Sequence, residues 1–217
     1  MKFRNARGEH PPTPQTINRE NTVLRQMLRY AVEREWMKIA PVIKNESERL
    51  TWRRRRHFTL EEYQLLYRTA RKRIKELDGN PLTKRQYDQR LLLLDYILLL
   101  SNTGLRVDEA KTLIWRNVDW ENKSLLLENA GKTKSKRRVL MREGAVAALK
   151  RIQQRRLAYL EKKNDALKPN EKIVAMPNGT PVASFKKGFN ELLAACGFKY
   201  DTVIEKHALT SLRHTYA

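Results

Sequence analysis

The apolar positions are densest between Leu91 and Leu100, a run broken only by Asp95. Spanning a bilayer takes roughly 20 apolar residues, so a run this short predicts a helix buried in a globular core. Asn102, Thr103 and Gly104 follow as a helix stop, because glycine can take the left-handed conformation that closes a last turn. Leu105, Ala110, Leu113 and Ile114 then recur at a helical period, which predicts a second helix packed on the first. Arg106 falls at its start, with Glu109 three residues on. By spacing alone Arg106 reads as a surface arginine laid over apolar neighbours.

The rest of the chain is patterned around this pair. Residues 1–16 are polar, with Pro11, Pro12 and Pro14, and read as an extended lead-in. From Ile17 the pattern is helical, with Leu24, Met27, Leu28 and Ala31 on one face and Arg19, Arg25, Arg29 and Arg34 spread outside it. Pro41 to Arg56 reads as a linker ending in four consecutive arginines, Arg53, Arg54, Arg55 and Arg56. Thr59-Leu60-Glu61-Glu62 forms a capping box that opens a helix carrying Leu66, Tyr67 and Ile74. Ser124–Leu127 and Arg138–Met141 alternate like strands and flank a turn segment from Asn129 to Arg137, a hairpin pattern. Glu143 to Lys162 returns to helix, with Val146, Leu149, Ile152 and Leu160 inward. A loop from Lys168 to Pro181 holds one short strand, Ile173–Ala175, and an Asn178-Gly179 turn. Ser184 to Cys196 is again helical, closed by Gly197. The fold class expected is mainly α with a small antiparallel β-sheet.

Charge changes the picture. Lys and Arg number 45 against 24 Asp and Glu, a formal net charge of +21. So large an excess favours a polyanionic partner, since neutralising phosphates releases counterions. It does not choose between DNA and RNA. The one cysteine, Cys196, lies in an apolar helical context and reads as a small packed residue rather than a nucleophile. The basic N-terminus lacks the apolar core of a signal peptide, and a cytoplasmic location is expected.

Two stretches carry a resemblance. Thr103-Gly-Leu-Arg106-Val-Asp-Glu109-Ala110, followed by Leu113-Ile-Trp115, resembles the first arginine box of the tyrosine recombinases, the phage integrases and related site-specific DNA recombinases. His207-Ala-Leu-Thr210-Ser-Leu-Arg213-His214-Thr-Tyr216-Ala217 resembles the second. In that box a histidine usually stands three residues before the arginine, and here the position holds Thr210. The resemblance implies a tyrosine recombinase catalytic domain over residues 51–217. Residues 1–50 would be the C-terminal part of a helical DNA-embracing domain and the start of the linker. Both ends of the family's usual length are expected to be missing.

The chemistry implied is metal-free strand transfer on double-stranded DNA, with no cofactor. Arg106 and Arg213 would clamp the non-bridging oxygens of one phosphate with planar, permanently charged forks. Lys132, with Lys134 as fallback, would protonate the leaving 5′ oxygen. Glu109, Thr210 and His214 would support them. Arg53, Arg54, Arg55, Arg56, Lys134, Lys136 and Arg137 would bind the DNA backbone. The family's nucleophilic tyrosine lies well downstream of the second box, and Tyr216 sits in a core aromatic slot, so no nucleophile is expected in this sequence. The family resemblance further implies a homotetramer on DNA. The rival readings are a non-catalytic DNA-binding remnant or regulator and, more distantly, an RNA-binding protein.

Overall fold

The structure, a computed structural model, describes residues 12–45, 56–130, 135–198 and 206–216. The chain divides into two compact units, Met1–Arg53 and Arg54–Ala217. The first contains helix α1 (Pro14–Glu33), which starts three residues before the apolar period does. Thr13 caps it and Pro14 fits the first turn, where no backbone N–H is needed. The Arg25 guanidinium donates to the Ile43 carbonyl through Nε (3.0 Å) and Nη2 (2.8 Å), tying the following segment back onto the helix. Most of the linker arginines, Arg53 to Arg55, lie outside the described residues.

The second unit is built on α3 (Lys84–Thr103), whose residues from Leu92 to Leu100 are buried on nearly every side. Around it pack α2 (Leu60–Lys75), α5 (Glu143–Glu161), α6 (Lys186–Ala195) and α7 (Leu209–Tyr216). The capping box at Thr59 and Glu62 forms as expected. Asp95, the polar residue inside the apolar run, is 1% exposed. Its carboxylate accepts from Arg151 Nε at 2.8 Å and from Arg155 Nη2 on α5. The interruption is therefore an ion-pair seam that fixes α5 against α3.

Helix α4 (Val107–Thr112) is shorter than its apolar period suggests. Leu113 and Ile114 leave the helix because partners far along the chain take their backbone groups. The Leu113 carbonyl accepts from Ile173 N, and Ile114 bridges Lys172. Ile173–Ala175, expected as a strand, makes only isolated bridges here, though all three residues are buried.

The sheet is antiparallel, in the order β1 (Val118–Asp119), β2 (Ser124–Ala130), β3 (Ser135–Leu140). Its strands run further toward the hairpin tip than the sequence pattern indicated, so Lys136 and Arg137 lie on β3 and not in the turn. The register pairs Leu125 with Val139 and Leu127 with Arg137. With a side-chain period of two, Arg137 shares the inner face with Leu125, Leu127 and Val139, while Lys136 and Arg138 face outward and are exposed.

Removing the Asp95 carboxylate strands two guanidinium groups against the core. Asp95→Ala should lower stability toward the lower end of about 3–5 kcal/mol, since both arginines retain some solvent access. Urea unfolding with an unchanged slope checks it.

Candidate active site

The site grows from the C-terminus of α3. Gly104 closes that helix with φ of 64°, in the left-handed region. A Cβ placed there would lie 2.8 Å from Cδ1 of Tyr216, so only glycine lets the α7 ring rest on this turn. Arg106 follows Gly104 by two residues, and Arg213 precedes Tyr216 by three, one turn of α7. The two arginine boxes, more than a hundred residues apart in sequence, therefore meet through one backbone-to-ring contact. Arg142, at the cap position of α5, lies over the Tyr216 ring at 4.3 Å from its centroid. Its N–H donates to the Asn102 carbonyl. Sequence reasoning missed Arg142, because nothing near it but the start of a helix marks it.

Arg106 occupies the cap position of α4 in extended geometry. Its backbone N–H donates to Glu109 Oε2 at 2.8 Å, and its Nη1 donates to Glu109 Oε1 at 2.7 Å. The Arg106 side chain is still 55% exposed, whereas Glu109 is 9% exposed. The carboxylate thus sets both the main chain and the side chain of Arg106 while leaving the outer edge of the guanidinium open. Burial pushes the Glu109 carboxyl up, but the Arg106 hydrogen bonds and the Arg106 and Arg137 charges outweigh it and hold it below the usual carboxylate range. Helix α3 adds a further tie, as the Tyr96 hydroxyl donates to the Val107 carbonyl at 2.8 Å.

On α7, Thr210, Arg213 and His214 fall at spacings of three and four, and so share one face. Thr210 and His214 are exposed and Arg213 is half-buried. His207 stands apart from them: it is 2% exposed and its ring stacks on Phe58 at 4.0 Å. Its Nε2–H donates to the His57 carbonyl at 3.1 Å. With Phe58 N donating to Thr215 Oγ1 at 3.1 Å, this fastens α7 to the segment entering α2. Burial lowers the His207 pKa, outweighing the His57 hydrogen bond.

Arg137, expected on the DNA backbone, donates from Nη2 to Glu109 Oε2 at 2.7 Å, with its side chain 38% exposed. Lys136 and Arg56 are exposed, and Arg56 pairs with Glu62 at 2.8 Å. Lys132 and Lys134 lie outside the described residues. Cys196 is half-buried, and burial raises its thiol pKa. Among the described residues no group of three His, Cys, Asp or Glu side chains could hold a metal ion. Among the described residues no helix is long and apolar enough to cross a membrane.

The chain thus has a helical core with a three-stranded sheet, and its two arginine boxes come together where the Tyr216 ring meets Gly104. Residues 56–217 match the phage integrase family, and the chain belongs to it. No protein of curated function matches the chain. Among solved structures it is similar to the Tn1549 transposon integrase in complex with a circular intermediate DNA, with 18% identity and a TM-score of 0.61 over 93% of this chain and 65% of that one. A second structure of that integrase, with transposon right end DNA, gives 16% identity and a TM-score of 0.62, over 94% and 66%. A lambda integrase dimer bound to a core site gives 17% and 0.58, over 90% and 60%. The chain thus spans about two thirds of the length of the integrases it matches.

Two outcomes follow. Gly104→Ala should destabilise the protein by at least the about 1–2 kcal/mol of a left-handed non-glycine residue, with further loss as Tyr216 is displaced; thermal unfolding reads it. Because His207 protonates less readily folded than unfolded, the unfolded chain binds the extra proton. Its contribution is therefore present above the ordinary histidine value of about 6.5 and is lost as pH falls through the lower folded value. His207→Gln should flatten the decline in melting temperature between pH 7 and 5.

Proposed function

We propose that this chain is the DNA-strand-transferring part of a site-specific recombinase. It breaks and rejoins duplex DNA through a phosphotyrosine intermediate, with none of the tyrosines of residues 1–217 assigned as the nucleophile. The observation that supports this reading is the Gly104–Tyr216 contact, since Arg106 follows that glycine by two residues and Arg213 precedes that ring by three. A phosphate between them would gain two forks of donors as charge builds on its non-bridging oxygens. The attacking oxygen forms a bond to phosphorus, the bond to the 5′ oxygen breaks, and a proton must reach that oxygen. Lys132 is the proposed donor, since lysine is a residue type whose pKa falls readily when it is desolvated beside other cations.

Thr210 occupies the usual histidine position. It can donate a hydrogen bond to the phosphate but cannot exchange a proton near neutral pH. His214, beside it on the same face, would add a phosphate contact. Arg53 to Arg56, Lys134 and Lys136 are assigned to the DNA backbone, where contacts position the duplex without reading its sequence. The partner is double-stranded DNA. A homotetramer is the proposed working assembly, supported by the lambda integrase tetramer bound to a Holliday junction.

Arg106→Ala and Arg213→Ala, made in a chain that includes its tyrosine, should each lower cleavage of a nicked duplex by at least about 10²–10³-fold. Duplex binding should persist, with the salt slope reduced by about one. Retained cleavage in either variant would overturn the clamp.

A further inference from the structure

Arg137 stands on the inner face of the sheet opposite Leu127, with its side chain 38% exposed. One of its donors, Nη2, meets Glu109, and its Nε is buried with no hydrogen-bond partner. An unpaired buried donor costs about 1–3 kcal/mol, so the placement is not explained by sheet stability alone. The carboxylate it reaches is the one that sets the backbone and side chain of Arg106. We propose that Arg137 is a positioning residue for phosphate binding, acting through Glu109 and not through contact with DNA. This inference rests on the recombinase reading of Arg106.

The effect of Arg137 is electrostatic. A carboxylate beside a phosphate site repels its ligand and competes for the cation meant to bind it. Glu109 has two cations from two directions, Arg106 before α4 and Arg137 on β3. Glu128 of β2 lines the same hollow and is itself paired with Arg116 at 3.2 Å. On α4, Asp108 is exposed and near Lys111. With Arg137 in place, Glu109 stays compensated when Arg106 turns its open edge to a phosphate. Without it, Arg106 is the only cation among the described residues left on Glu109, and the carboxylate pulls against the phosphate. The same bond joins β3, the strand that follows residues 131–134 and Lys132, to the arginine turn.

Two measurements on the chain test this. In the first, a ¹³C titration of the Glu109 carboxyl, Arg137→Gln should move the midpoint upward, toward the ordinary carboxylate range. Arg137→Lys, which keeps the cation, should leave it low. In the second, a double-mutant cycle, Arg137→Gln should weaken binding of a short duplex about two- to five-fold. The penalty should vanish in a Glu109→Gln background. An unmoved midpoint overturns the link to Glu109. An equal penalty in the Glu109→Gln background overturns the positioning role and makes Arg137 a direct DNA contact. Failure of the unsubstituted chain to bind duplex would instead strike the recombinase reading, and the titration alone would then decide the electrostatic link.

Discussion

The Tyr216 ring lies against a backbone position that cannot carry a side chain, and the site depends on that close approach. Gly104 is the point at which α3 ends in a left-handed residue and α7 arrives from the far end of the sequence. A helix stop alone would have tolerated asparagine; the ring does not. The glycine thus serves two constraints together, one of conformation and one of space. Arg106 stands two residues after this turn and Arg213 three residues before the ring, and Arg142 also lies over the ring.

Around this contact the fold supplies rigidity through buried charge as much as through apolar packing. Asp95 holds two α5 arginines against α3, and Glu109 holds Arg106 and Arg137. In each case one poorly solvated carboxylate meets two guanidinium groups, which leaves a net positive charge at the seam. That suits a chain of net charge +21 whose proposed ligand is a polyanion. It also means that the acidic residues here act on the arginines, not on the ligand.

Much of this was legible in the sequence. The apolar run of α3, the Gly104 stop, the Thr59 box and the inner face of α5 all follow from local periodicity and capping. The arginine boxes were legible only as resemblances, since spacing alone made Arg106 a surface residue. What could not be read depends on partners distant in the chain. Backbone bonds to residues 171–173 pull Leu113 and Ile114 out of α4. The strands extend into what looked like a turn, and strand register decides which way Arg137 faces. No local pattern marks Arg151 and Arg155 as partners of Asp95, more than fifty residues earlier. His207 is the converse case: the first residue of the second box, it proves to be a buried fastening between α7 and the segment entering α2.

The central claim is that two distant arginines address a single phosphate. A methylphosphonate scan of a bound duplex tests it most directly, because it removes the charge of one phosphate at a time. Binding constants for the unsubstituted chain, Arg106→Ala and Arg213→Ala would be compared at each position. The account predicts one position at which neutralising the phosphate abolishes the cost of both substitutions. If the two costs disappear at different phosphates, the arginines do not form one clamp, and the account is wrong.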